Sequence, residues 1–176
     1  MCIRDSNGKI LSDGEVGHIA ICTEKKWPPG LFHGYLQNKV IVKDSFRHGW
    51  YYTGDTASRD KDGYLWFVGR SDDLISSAGY RISPFEVESA LLEHDLIAES
   101  AVVGVPDETR GQLVKAYIVL VEGYKGSNEL IREIQDFCKN LTAPYKYPRK
   151  VEFVDSLPKT ISGKIRRVEL RELENK

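Results

Sequence analysis

The sequence predicts an α+β fold built as two successive units, and three observations carry that reading. Up to about Arg70 the chain is β-rich, with short apolar and aromatic runs bounded by glycines. Beyond Ser83 strand-like runs alternate with helices whose start signals are legible. Between them Arg70-Ser71-Asp72-Asp73 follow an apolar strand with no hydrophobic face of their own, the composition of an exposed connector between folding units.

In the first unit, Met1 to Ser6 fits no local pattern and is set aside as a candidate non-native leader. Gly14 to Ile21 is a glycine-bounded strand. Trp27-Pro28-Pro29-Gly30 is a turn, because paired prolines fix φ and remove two donors. Phe32 to Tyr35 and Val40 to Phe46 are mixed in character. His48 to Asp55 delivers an aromatic strand into a glycine turn that exposes Asp55. Asp60-Lys61-Asp62-Gly63 is a hairpin signal and Tyr64 to Val68 the returning strand, so Asp55 and Arg70 are expected at the same end.

In the second unit, Ser83-Pro84-Phe85-Glu86 starts a helix: Ser83 caps, Pro84 takes the first turn where its missing N–H is harmless, and Glu86 completes a capping box. Val87, Ala90 and Leu91 form its buried stripe, and the helix is expected to reach about His94. Ile97 to Val105 reads as a strand closed by Pro106-Asp107, and Gln112 to Val121 as the next. Ser127 caps a helix with its stripe at Leu130, Ile134, Phe137, Cys138 and Leu141. Lys150 to Val154 is a short strand. Ile165 to about Leu173 is a closing helix, behind a glycine loop that ends in Lys164.

With 41% hydrophobic and 29% charged residues the 176-residue chain has the composition of small globular units. A formal net charge of −1 argues against nucleic acid as a partner, although Lys146 to Arg171 is locally basic and suits an anionic ligand. Cys2, Cys22 and Cys138 are far apart and lack metal-ligand spacing, so neither a disulfide nor a metal site is expected. No apolar run approaches the ~20 residues that span a bilayer, and a cytoplasmic location is the default expectation.

Three motifs stand in order: Thr53-Gly54-Asp55, the run GR-x-DD-x-I-x-x-x-GYRI from Gly69 to Ile82, and PKT-x-SGKI-R from Pro158 to Arg166. Together they resemble the AMP-forming acyl-CoA synthetases of the superfamily that also holds luciferase and peptide-synthetase adenylation domains. The flanking text is most similar to the medium-chain acyl-CoA synthetases. The resemblance implies that residues 1–69 end a large domain in a β-barrel-like subdomain, that 70–72 are a hinge, and that 73–176 are a mobile α+β lid. It also implies a two-step reaction, carboxylate plus ATP to acyl-adenylate and then acyl transfer to coenzyme A. ATP with its Mg2+ and coenzyme A would be the small-molecule partners, beside a carboxylic, fatty-type acid.

On those motifs Asp55 is implied to accept the ribose hydroxyls, a task suited to a carboxylate, whereas taken alone it would be a turn-stabilising aspartate. Arg70 is implied to contact ribose and phosphate. Lys164, behind Ser162-Gly163, is implied to stabilise negative charge moving onto the phosphates during adenylation. Asp72 is the implied hinge residue. Ala78, Gly79, Tyr80, Arg81 and Arg110 are the implied coenzyme A contacts, with Gly79 either lining the pantetheine tunnel or serving as a plain turn glycine.

The family's Ser/Thr/Gly-rich phosphate loop does not occur in the sequence, nor does an acyl pocket. The expectation is therefore a C-terminal fragment that does not catalyse alone and that needs the large N-terminal domain as its partner. Two other readings stand beside it: a stand-alone lid that works by docking, and an adenylation domain serving a carrier protein.

Overall fold

The structure, a computed structural model, describes residues 1–33 and 45–174. The parts of the two mixed segments that fall within 34–44 lie outside the described residues. The chain divides between Asp72 and Asp73 into two compact units, Met1–Asp72 and Asp73–Lys176.

The first unit is organised on one long strand. β1 (Cys2–Arg4), β2 (Val16–Cys22), β3 (Phe46–Arg47), β4 (Trp50–Arg59) and β5 (Leu65–Arg70) form a single sheet. β4 is its spine, antiparallel to β2, β3 and β5. Ile3, Ala20, Tyr52 and Ala57 are its buried hydrophobic residues among those described, and the Thr56 hydroxyl, buried beside them, donates to the Gly69 carbonyl. Met1 to Ser6, which fits no local pattern in the sequence, does carry a strand: Cys2, Ile3 and Arg4 pair with Ala20, Ile19 and His18. The free edge of β2 offers a row of backbone donors and acceptors, and Ile3 supplies the inward side chain at 3% exposure. At the far end of the hairpin Asp60 accepts from the Trp66 indole, whose bond does most to hold its carboxyl below the usual range, and from the N–H groups of Tyr64 and Asp62.

The second unit is also one sheet, with helices on both faces. β6 (Ile75–Ser77) and β7 (Tyr80–Ile82) form a hairpin, β8 (Ile97–Asp107) and β9 (Gly111–Leu120) a longer one, and β10 (Lys150–Phe153) runs parallel to β9. The helices are α1 (Pro84–Leu91), α2 (Asn128–Leu141) and α3 (Arg167–Leu173). Successive strand residues point to opposite faces, and the core splits accordingly. Val102, Val114, Ala116 and Ile118 face α1 and α2, through Val87, Leu91, Leu130, Ile134 and Cys138. Ala101, Val103, Val105 and Tyr117 face Leu157 and α3's Leu170. Burial on both faces explains why Ala101 to Val105 is apolar without alternation.

Both expected serine caps are made: Ser83 Oγ accepts from the Glu86 N–H at 3.4 Å and Ser127 Oγ from the Leu130 N–H at 3.1 Å. Several boundaries differ from expectation. α1 stops at Leu91, and the N–H groups of Glu93 and His94 reach back only three residues, to Ala90 and Leu91. β8 runs through Pro106 to Asp107, because it pairs on one side only and an edge strand tolerates a residue without an N–H. Leu141 is 47% exposed at the end of α2 rather than in its stripe. α3 begins at Arg167, since Ile165 is held in a β-bridge to Lys159.

Candidate functional site

In the first unit the site is made by an irregularity in the sheet. Ala20 faces Tyr52 and His18 faces Thr56, so Ile19 alone opposes Thr53, Gly54 and Asp55. Asp55 is thus presented by a bulge within a continuous β4, not by the expected turn. The bulge is tied down on both sides. Thr53 Oγ1 donates to the Ile19 carbonyl and accepts from the Asp55 N–H, and the Ser71 N–H donates to the Gly54 carbonyl at 2.8 Å. Gly54 has φ +85°, and a Cβ there would lie 2.6 Å from a terminal nitrogen of Arg70. The backbone angle is what calls for glycine, and the space it leaves is taken by the Arg70 guanidinium.

Asp55 and Arg70 are direct cross-strand partners. The Arg70 guanidinium donates to the Thr53 carbonyl at 3.2 Å, to Asp72 at 3.2 Å and, at a long 3.5 Å, to Asp55. Burial opposes the Arg70 charge, but Asp72 and Asp55 outweigh it and hold its pKa above the ordinary value. Both side chains remain substantially open to solvent. The arrangement offers a carboxylate and a planar cation side by side, suited to a vicinal diol and a phosphate.

In the second unit the tips of the two hairpins meet. The Ala78 N–H donates to the Arg110 carbonyl at 2.9 Å, Ser77 pairs with Gly111, and the Ser76 N–H donates to Gln112 Oε1 at 2.8 Å. Ala78 (φ 49°) and Gly79 (φ 84°) form the two-residue turn between Ser77 and Tyr80. A Cβ on Gly79 would meet open space within this unit, so here the backbone angle is what calls for glycine. Arg110 closes the turn in which Asp107 accepts from the Thr109 hydroxyl and the Arg110 and Thr109 N–H groups. Those bonds lower the Asp107 pKa, Thr109's most of all. Tyr80 stacks on Tyr145 with ring centroids 4.1 Å apart, and Lys146 beside it pairs with Glu86 at 2.5 Å. Ala78, Gly79, Tyr80, Arg81 and Arg110 are therefore brought together.

Lys164 stands apart from them. Its loop is a tight hairpin: Thr160 and Lys164 bond through N–H and carbonyl, the Lys164 N–H also reaches Thr160 Oγ1 at 3.1 Å, and the Lys164 side chain is exposed. Lys159, at the base of the loop, pairs with Glu99 at 2.6 Å near the start of β8. Arg110 follows the end of the same strand.

Sequence reasoning missed a partly buried ion cluster. Arg167 straddles the two oxygens of Glu88 at 3.2 and 2.6 Å and reaches Asp73 at 3.5 Å, while Arg171 meets Asp73 at 2.7 Å. Glu88 also accepts from the Val102 N–H at 2.8 Å. Burial pushes the Glu88 carboxyl up, against the opposing pull of Arg167 and Val102. Two signals were in the sequence: a glutamate next to Val87 in the apolar stripe of α1, and an arginine, Arg167, at the first residue of α3, where the helix dipole disfavours a cation.

The fold and the ordered motifs point to one family, and the comparisons with known proteins say which. Residues 86–164 match the family model of the AMP-binding enzyme C-terminal domain, so the second unit belongs to that family. Over 171 residues, 97% of this chain, the sequence is 60% identical to 4-hydroxybutyrate–CoA ligase 1 of Metallosphaera sedula, of which it covers 30%. It is 55% identical over 174 residues to the mitochondrial acyl-coenzyme A synthetase ACSM3 of Mus musculus, again covering 98% of this chain and 30% of the relative. Among solved structures, the anthranilate CoA ligase AuaEII in complex with anthranoyl-AMP matches with a TM-score of 0.85 at 40% identity, over 98% of this chain and 33% of that one. The o-succinylbenzoate CoA synthetase of Bacillus subtilis in complex with its acyl-adenylate matches at 0.84 and 33% identity, over 97% and 33%. The chain thus spans about a third of the length of the proteins it resembles.

Proposed function

We propose that this chain supplies the nucleotide-handling portion of an AMP-forming acyl-CoA synthetase, which activates a carboxylic acid with ATP and passes the acyl group to coenzyme A. The acid is of the aliphatic kind, a reading supported by the 4-hydroxybutyrate and acyl-CoA ligases among the relatives. Asp55 accepts the ribose hydroxyls and Arg70 contacts ribose and phosphate. Lys164 stabilises charge on the α-phosphate and pyrophosphate as the acyl–phosphate bond forms. ATP carries the Mg2+ on its phosphates.

One observation carries the two-step reading. The Lys164 loop is anchored at Glu99 and the Ala78–Arg81 and Arg110 tips gather beyond Asp107, eight residues along β8, or about 27 Å at ~3.4 Å per residue. A single rigid sheet that holds both groups so far apart serves one reaction centre with one group at a time. The unit therefore turns between the half-reactions, about residues 70–72 with Asp72 as the hinge. Lys164 serves the adenylating step and the hairpin tips receive coenzyme A in the second.

The test joins this chain to the preceding part of the M. sedula ligase and assays each half-reaction separately, pyrophosphate release for the first and acyl-CoA from supplied acyl-adenylate for the second. Lys164→Ala is expected to lower the first by roughly 10²–10³ and the second far less. Lys159→Ala, the control for lost basic charge, is expected to change little. Equal losses in both half-reactions, or equal losses from the two lysines, would refute the assignment.

A further inference from the structure

We infer that Asp73, Glu88, Arg167 and Arg171 form a clamp that positions Lys164, by making α3 and the loop before it move as one piece with the first residue of the second unit. The inference rests on the adenylating role given to Lys164 above, and it adds four positioning residues to that step.

The clamp is needed because apolar packing does not hold α3. The helix has seven residues, no side-chain cap at Arg166, and Leu170 as its buried residue, while Val168 and Leu173 are each 56% exposed. One apolar contact fixes where a helix touches a sheet but not its rotation about its own axis. Arg167 fixes that rotation. Its Nε and one terminal nitrogen span both oxygens of Glu88, a planar two-point contact that sets orientation as well as distance. Glu88 is in turn tied to the sheet by the Val102 N–H, and its side chain is only 9% exposed.

The other arm of the clamp ends on Asp73, which accepts from both Arg167 and Arg171 and is 14% exposed. Asp73 opens the second unit, next to Asp72. Lys164 lies three residues before Arg167, and the Arg166 N–H between them donates to the Pro158 carbonyl at 2.8 Å, closing the loop's base. A torsion change next to Asp73 is therefore handed to the base of the Lys164 loop through two side-chain pairs, without passing through the long hairpin of β8 and β9. Arg167 stands at the first residue of α3, the end at which the helix dipole disfavours a cation, so its place there is held by Glu88 and Asp73 and not by the helix itself.

A charge swap tests this. In the 176-residue chain, Asp73→Arg and Arg171→Asp are each expected to speed amide hydrogen exchange at Lys164 and Arg166 about tenfold, and the double variant to recover part of that loss, the Arg167 contact with position 73 staying broken. In the joined enzyme the single variants are expected to slow adenylate formation about tenfold while thioester formation from supplied acyl-adenylate changes less than twofold, and the double variant to recover in part. Arg167→Lys, which keeps the charge and loses the fork, is expected to behave like the single variants. No recovery in the double variant, an exchange rate that does not move, or an equal fall in both half-reactions would overturn the clamp. Lys164→Ala, run alongside, separates the two ideas. If it spares adenylation, the role of Lys164 falls and this inference with it; if it abolishes adenylation while the swaps leave that step untouched, the clamp alone falls.

Discussion

Asp55 with Arg70 and Lys164 with its loop are held in place by opposite means. The first pair is set by backbone: adjacent strands in register, a three-against-one bulge, and a glycine that yields its side-chain space to the guanidinium. Lys164 is set by side chains, through a tight loop and a short helix tied down by arginines and carboxylates. A register-built site is stiff because moving it means breaking a ladder. A clamp-built site moves as a body, since each contact is made between side chains that travel together. The division matches the proposed work, with the ribose held by the stiff pair and the phosphate charge met by the group that has to leave.

The largest break in this contrast is expected from Glu88→Ala. It strands Arg167 in a mostly buried position with one partner gone, a change of the kind that costs ~3–5 kcal/mol. Urea unfolding of the 176-residue chain, followed by a probe in the second unit, measures it. Asp55→Ala, which removes one side of a half-open pair, is expected to cost below about 1 kcal/mol. Similar losses from the two would abolish the distinction.

Gly54→Val probes the stiff side. A β-branched residue is forced to φ +85° with its Cβ against Arg70, a strain on the order of 2 kcal/mol. The second unit's exchange rates are expected to stay at parent values. A smaller effect follows from Thr160→Ala, which removes the hydroxyl that accepts from the Lys164 N–H. The expected cost is about 1 kcal/mol or less, read as faster exchange at that amide and not as global unfolding.

The same division decides what was legible in the sequence. The facing of Asp55 and Arg70 follows from a hairpin signal at Asp60-Lys61-Asp62-Gly63 and simple spacing, and the caps at Ser83 and Ser127 are local chemistry. These features are written in neighbouring residues. The bulge at Gly54 was legible only as a glycine, because whether it turns the chain or bends a strand depends on β2, more than thirty residues away. Pro106 reads as a stop unless one knows that β8 lies at an edge. Met1 to Ser6 is unreadable alone because β1 exists only where β2 offers an unpaired edge. The clamp joins residues up to 98 positions apart, Asp73 with Arg171, and no local pattern announces such a pair.

The smallest expected effect is a difference between two glutamates that hold α3 at its two ends. Glu88 meets its first turn. Glu174 follows its last, where it pairs with Lys115 and accepts from the Tyr117 hydroxyl at 2.6 Å. Burial pushes the Glu88 carboxyl up, so the folded chain binds its proton more tightly than the unfolded chain. Its contribution to stability is then fully present below the ordinary glutamate range and is lost as pH rises through the raised folded value. Lys115 and then Tyr117 hold Glu174 low, so its contribution is present above the ordinary range and is lost as pH falls. Measured as unfolding free energy of the parent minus that of Glu88→Gln, the difference is expected to grow as pH is lowered from 7 toward 4. For Glu174→Gln the same difference is expected to shrink. Two slopes of the same sign would show that the two ends of α3 are held by one kind of electrostatics, and would remove the reason for treating the Glu88 end as a clamp that tolerates burial in order to fix direction.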